Sequence, residues 1–160
     1  MTTIHPRIAA AAGLAAALVA CSSPPPKPPA FLAGSIQVSQ QVNPNATQRP
    51  SPLLLRVYEL KAVAAFNGAD FMSLYQRDQA ELGGDFVARE EFVLAPGETR
   101  AFRKTLSPDT HFLGVVAAFR DLDRSTWRSV VAVDPNKNQQ VVIKAAQLAV
   151  DTSVTTTPAK

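Results

Sequence analysis

Between Ser35 and Val42 the chain alternates. Ser35, Gln37, Ser39 and Gln41 fall on one side; Ile36, Val38 and Val42 fall on the other, with Gln40 the exception. A period of two predicts a half-buried strand over 35–42. Asn43 to Pro52 reads NPNATQRPSP, and three prolines and two asparagines in ten residues predict a loop. It is long for a link between strands, and long loops in compact domains are disproportionately functional. Leu53 to Leu60 returns to a strand. Leu53, Leu55 and Val57 share one face, and Leu54, Arg56 and Tyr58 share the other. Apolar side chains on both faces predict an inner strand with something lying over its second side.

The cover follows directly. Residues 61–83 lose the period of two and read as a small helical insertion. Phe66 lies in an Ala-rich piece, and Asp70 caps a helix carrying Phe71, Leu74 and Tyr75 on one face. Asp78 starts a further turn, which stops at Gly83-Gly84. After Gly84 the strand pattern resumes. Phe86, Ala88, Phe92 and Leu94 alternate with Val87, Arg89, Glu91 and Val93, and Glu90 interrupts the apolar face. Pro96-Gly97 predicts a type II turn with Gly at its third position. Phe102 and Leu106 mark the next strand, Ser107 to Thr110 a turn, and Phe112 to Phe119 an almost wholly apolar central strand. Arg120 to Arg124 is charged and turn-like. Strands follow over Trp127 to Val133, Val141 to Ala145 and Leu148 to Val154, with a turn at Asp134 to Asn138. About eight short strands separated by turn signals predict an all-β, two-sheet β-sandwich.

The N-terminus adds a different kind of signal. His5 and Arg7 precede an apolar run of thirteen residues, Ile8 to Ala20. A spanning helix needs about 20 residues, so the run reads as a secretory signal peptide over 1–20. It ends in Leu18-Val19-Ala20-Cys21, which resembles the bacterial lipobox. The resemblance implies cleavage before Cys21, a diacylglycerol thioether on its sulfur and an N-acyl chain on its new amino group. Each buried lipid CH₂ contributes roughly 0.8 kcal/mol, so several long chains make the attachment effectively permanent. Ser22, rather than Asp, follows the cysteine, which in lipoproteins of Gram-negative bacteria points to the outer membrane. Ser22 to Pro29 reads SSPPPKPP, a polyproline II spacer of roughly 25 Å. The organisation expected is therefore a signal peptide at 1–20, a lipidated cysteine and tether at 21–30, a sandwich domain at 31–154 and a frayed tail at 155–160.

Composition narrows the chemistry. Cys21 is the only cysteine, so the domain has no disulfide. The net charge of +3 is spread without a Lys/Arg block, and Arg100, Arg103 and Lys104 fit exposed positions of a strand and its turn, so no nucleic-acid partner is expected. Beyond residue 20 the only histidine is His111, read as an edge residue at a strand start, and no G-x-S-x-G elbow accompanies it. Asp121-Leu122-Asp123 lacks the Gly and distal Glu of a calcium loop. Glu90 and Glu91 point to opposite faces of a strand. Catalytic residues, metal ligands and cofactors other than the acyl chains are not expected. A glycan or small-molecule pocket remains as an alternative, with Trp127 and Tyr75 as its aromatic candidates. A cell-wall hydrolase would need a carboxylate or histidine cluster, which the sequence lacks.

Several segments resemble one family. They are Arg49-Pro50-Ser51-Pro52-Leu53-Leu54-Leu55-Arg56-Val57-Tyr58-Glu59-Leu60-Lys61, Asp70-Phe71-Met72-Ser73-Leu74-Tyr75, Leu94-Ala95-Pro96-Gly97-Glu98, Phe112 to Asp123, and Trp127-Arg128. In this order, beside a lipobox, they resemble the type VI secretion outer-membrane lipoproteins, the TssJ family. The resemblance implies a transthyretin-like sandwich with a small helical addition and no catalysis. It implies an anchor at the periplasmic face of the outer membrane. The partner it implies is the periplasmic C-terminal region of the inner-membrane protein TssM, and through TssM the protein TssL. The family's docking loop maps here onto Asn43, Pro44, Asn45, Ala46, Thr47, Gln48, Arg49, Pro50 and Ser51.

Overall fold

The computed structural model describes residues 30–156. The signal segment, Cys21, the tether to Pro29 and residues 157–160 lie outside the described residues. Eight strands build two four-stranded sheets. They are β1 (Leu32–Val38), β2 (Leu53–Leu60), β3 (Phe86–Leu94), β4 (Thr99–Lys104), β5 (Phe112–Ala117), β6 (Arg128–Ala132), β7 (Gln139–Ala145) and β8 (Val150–Thr156). One sheet runs β4-β1-β7-β8, with β1 and β7 parallel; the other runs β3-β2-β5-β6 and is antiparallel throughout. Between β2 and β3 lie α1 (Ala64–Gly68), α2 (Phe71–Leu82) and a 3₁₀ turn over Gly83–Asp85. Among the described residues, no helix is long and apolar enough to cross a membrane.

Two apolar clusters hold the layers together. The first fills the space between the sheets and includes Leu32, Ile36, Leu53, Leu55, Val57, Leu113, Val115, Val141 and Ile143. The second lies between the outer face of the second sheet and the helices, and includes Tyr58, Leu60, Phe66, Leu74, Leu82 and Val116. β2 contributes to both, as its two apolar faces predict. At Gly114 the backbone of β5 runs under Phe66; a Cβ there would sit 2.7 Å from Phe66 Cζ. Gly114→Ala therefore overpacks the second cluster. We expect a loss of about 2 kcal/mol, read as a lower urea midpoint with an unchanged slope.

The helices are clamped by β2. Asp70 caps α2 as expected, accepting from the Ser73 amide at 2.9 Å and the Ser73 hydroxyl at 2.8 Å. Arg77 has non-helical angles, so α2 is kinked and a second helical stretch begins at Asp78. A kink strands carbonyls from their i+4 donors. Here Arg56 Nη1 donates to the Tyr75 carbonyl at 2.7 Å and the Leu74 carbonyl at 3.3 Å. Its Nε donates to Glu91 at 2.8 Å. The Tyr58 hydroxyl donates to Asp78 Oδ2 at 3.1 Å, and Arg89 pairs with the same oxygen. Burial pushes the Tyr58 phenol up to about 12, so it stays a donor. In the Arg56-Val57-Tyr58 run, Val57 thus faces the sandwich while its two neighbours fasten the helix.

Several boundaries differ from the sequence reading. β1 spans 32–38 rather than 35–42, because Leu32 to Gln37 pair with β4 and Leu32 to Val38 with β7. Gln40 broke the alternation because the strand has already ended. Phe86 packs with the helical cluster and not on the face of Phe92, since a bulge between Glu59 and Leu60 shifts the register. β8 runs on to Thr156, pairing with Gln139, so 155 and 156 belong to the sheet rather than to a frayed tail. Lys104 is not an exposed strand residue. It points between the sheets and reaches Glu59 at 2.6 Å and Glu90 at 2.5 Å. Glu90, the interruption in the apolar face, is its counter-ion. Ala95 to Glu98 does form the expected turn, with Gly97 at φ +79° and the Glu98 amide donating to the Ala95 carbonyl at 3.1 Å.

Candidate docking site at the end of the sandwich

The strand registers sort the connections into two ends. Leu32 pairs with both Lys104 and Gln139, so the chain enters β1 at the end that holds the 105–111 and 133–138 turns. The other end gathers 39–52, 95–98, 118–127 and 146–149, since Leu53 faces Leu94 and the Ala118 amide donates to the Leu54 carbonyl. The sequence-predicted loop therefore lies at the far end from the chain's entry. β1 alone sets roughly 20 Å between them at about 3.3 Å per residue.

The loop has a buried base and an exposed tip. Val42, Asn43 and Ser51 are buried, and the Ser51 amide donates to the Val42 carbonyl at 3.2 Å. Asn43 sits at φ +49°, a region where asparagine is enriched. Its amide donates to the Gln147 carbonyl at 2.9 Å and its Nδ2 to the Pro52 carbonyl at 2.8 Å. Its Oδ1 accepts from the Arg120 amide at 2.8 Å. Above this base, Asn45 organises the tip. Its Oδ1 accepts from the Thr47 amide, the Thr47 hydroxyl and the Arg49 amide at 3.0, 2.9 and 2.9 Å. The Gln48 amide donates to the Asn45 carbonyl at 2.9 Å, and Gln48 itself adopts φ +60°. An asparagine that bonds the backbone two and four residues on is a turn nucleus. Ala46, Thr47, Gln48, Arg49 and Pro50 are left exposed on a shaped loop, while Pro44 and Asn45 are half-buried.

Between this loop and its neighbours lies a groove of about 750 Å³. Pro44, Asn45, Ala46 and Gln48 line one wall; Arg120 to Arg124 line the other, with Gln147 and Leu148 behind. Asp121 accepts from Arg124 Nε at 2.6 Å, and that bond holds its carboxyl below the usual range. Among the described residues, Arg49, Arg120 and Asp123 form no ion pair. The arrangement can present shape, hydrogen-bond donors and unpaired charge to a protein surface. Sequence reading put Arg120 to Arg124 in a plain turn and did not join it to the loop. The one hint was an arginine and two aspartates ending an apolar strand.

The other candidates resolve differently. His111 is exposed at the start of β5; its amide donates to the Leu60 carbonyl and its own carbonyl accepts from the Val133 amide. Trp127 and Tyr75 do meet one aromatic neighbour, Phe71. Tyr75 stacks on it at 5.4 Å and Trp127 meets it edge-on at 5.4 Å. Arg56 covers Tyr75 at 4.7 Å and Arg128 lies over Trp127 at 4.9 Å. The three rings pack as one cluster, with Tyr75 still exposed. Glu90 and Glu91 diverge, to Lys104 and Arg56. Among the described residues, no group of three or more His, Cys, Asp or Glu side chains stands close enough to hold a metal ion.

The chain is similar to known proteins in sequence and fold. The family described as "Type VI secretion lipoprotein, VasD, EvfM, TssJ, VC_A0113" matches residues 32–148. The structure of the T6SS lipoprotein TssJ1 from Pseudomonas aeruginosa is similar, at 40% identity over 83% of this chain and 100% of that one, with a TM-score of 0.76. Lip from Serratia marcescens, a membrane-bound component of the type VI secretion system, is similar at 25% identity over 77% and 96%, with a TM-score of 0.71. A chain in a structure described as the T6SS protein TssM C-terminal domain (869–1107) from EAEC is similar at 28% identity over 76% and 99%, with a TM-score of 0.64. No curated protein matches the chain. The match across both sheets, the helical insertion and the loops between them shows that this chain belongs to the type VI secretion lipoprotein family of TssJ.

Proposed function

We propose that the chain anchors the type VI secretion membrane complex to the outer membrane. Its acylated Cys21 sits in the periplasmic leaflet, and its 43–51 loop holds the periplasmic C-terminal region of TssM, and through it TssL. The observation that carries this reading is the placement of the loop and the chain's entry at opposite ends of the sandwich. A spacer of roughly 25 Å lifts the domain from the bilayer, and the loop then faces away from the lipid, toward a partner rooted in the inner membrane. Such a subunit works by binding alone and needs no catalytic group.

The partner is supported by one of the similar structures. The range 869–1107 is longer than this whole chain of 160 residues, yet 76% of this chain covers 99% of the matched one. The matched chain is therefore smaller than that range and close in size to this domain. A chain of this size in a structure described by the TssM domain supports contact between the two kinds of protein. A tip already ordered by Asn45 also loses less entropy on docking.

The test is binding of residues 30–160 to the periplasmic segment of TssM from the same organism. Joint replacement Gln48→Ala and Arg49→Glu should weaken the complex about tenfold, the cost of one well-placed contact. The thermal midpoint should not move, because both side chains are exposed. Unchanged affinity, or full binding after 43–51 is cut to a tight turn, would place the interface elsewhere.

A further inference from the structure

Loop 43–51 is not an independent arm. Asn43 is 3% exposed, and its side-chain amide makes one donor and one acceptor bond across the end of the sandwich. It donates to the Pro52 carbonyl within its own loop and accepts from the Arg120 amide in the 118–127 loop. Its backbone amide reaches Gln147 in the 146–149 loop. Among the described residues, no other side chain hydrogen-bonds from 43–51 to 118–127. The 118–127 and 146–149 loops are joined separately, through Thr126 to Leu148 and Val150 to Thr126. Asn43 thus ties the three loops together around one groove. The residue type fits the task. Its φ of +49° is a conformation most side chains avoid, and its amide supplies a donor and an acceptor at once.

We propose that the docking surface is composite, formed by the 43–51 tip together with Arg120 to Arg124, and that Asn43 is the positioning residue that fixes their spacing. This rests on the docking reading above and adds a second wall to it. Arg120 is the exposed arm of that wall: its backbone is held by Asn43, while its guanidinium forms no ion pair among the described residues and lines the groove. The partner fills the groove and meets both walls.

Two variants of the full-length protein, purified from membranes in detergent, test this against the periplasmic segment of TssM. Asn43→Gly keeps the positive φ without strain and removes both side-chain bonds. Arg120→Glu leaves the Asn43 contact to the backbone in place and reverses the charge in the groove. Each should weaken binding about tenfold. In Asn43→Gly the Arg120 amide should also lose its hydrogen-exchange protection. Asn43→Asp keeps an acceptor for that amide but sets a carboxylate oxygen against the Pro52 carbonyl, so it should keep the protection and bind more tightly than Asn43→Gly while losing the hold on Pro52. A merely structural role would lower the thermal midpoint of Asn43→Gly without changing the affinity of the folded protein. If shortening 43–51 abolishes binding while Asn43→Gly and Arg120→Glu bind normally, the composite surface is wrong and the loop acts alone. If shortening has no effect either, or the native protein does not bind, the docking reading itself fails.

Discussion

Lys104→Met lowers the stability of the domain by about 3 kcal/mol, the low end of the cost of stranding a buried charge. Lys104 lies between the sheets with two carboxylates on one ammonium: Glu59 at 2.6 Å from β2 and Glu90 at 2.5 Å from β3. Glu59 is 3% exposed. Its other oxygen accepts from the Thr110 hydroxyl at 2.7 Å and the Ser107 amide at 3.2 Å. Methionine fills the space of the lysine stem but leaves Glu59 without a counter-charge. Burial alone pushes Glu59 upward; hydrogen bonds from Lys104 and Thr110 outweigh it and hold the carboxyl below its ordinary 4.5. Burial pulls Lys104 down, and its bonds to Glu59 and Glu90 outweigh that and hold it above 10.5. The two signs set the pH window. A depressed carboxylate contributes stability above its unfolded pKa and loses it as pH falls through the folded value. A raised lysine contributes below its unfolded pKa and loses it as pH rises through the folded one. Between those limits the network is at full strength. The gap between native and Lys104→Met should therefore be widest near neutrality and narrow below pH 4.5, where Glu59 takes up its proton. Chemical denaturation at neutral and acid pH measures it. A gap independent of pH would mean that lost packing, not stranded charge, is the cause. Glu59→Gln in the Lys104→Met background should recover part of the loss.

The second large effect acts outside the domain. Cys21→Ser should move the protein wholly from the membrane to the soluble periplasmic fraction, with the domain still folded. The expectation rests on the proposed acylation, in which each chain's methylenes contribute roughly 0.8 kcal/mol apiece. Among the described residues, neither apolar cluster draws on a residue before Leu32, so melting of the released domain should match the native one. Fractionation and a melting curve together decide it. A serine variant that still sediments with outer membrane would sink the lipid reading.

What the sequence disclosed follows from how local each signal is. Leu53 to Leu60 was legible to the residue because both faces are apolar and prolines stop it at Pro52. Asp70 and Gly97 were legible because a cap and a turn need particular residues at particular places. β1 starts three residues before the expected Ser35 because Ala33 and Gly34 carry no pattern; the Phe102 ring covers Gly34, and Phe102 lies far along the chain. Lys104 was misread for the same reason, since its partners come from the other sheet. At the site, the prolines and asparagines of 43–51 announced a loop. Its second wall was hidden, because Arg120 meets Asn43 across 77 residues of sequence.

The layout of β1 bears on mechanics. Chain entry is at one end of this strand and the loop leaves from the other, so under the proposed anchoring and docking the tension between lipid and partner would run along its axis. β1 is an interior strand, paired with β4 over Leu32 to Gln37 and with β7 over Leu32 to Val38. A pull in that direction loads both ladders in shear, so their bonds resist together rather than opening one after another. On that reading the domain would act as a tie-rod, loaded along the line between the two proposed attachments.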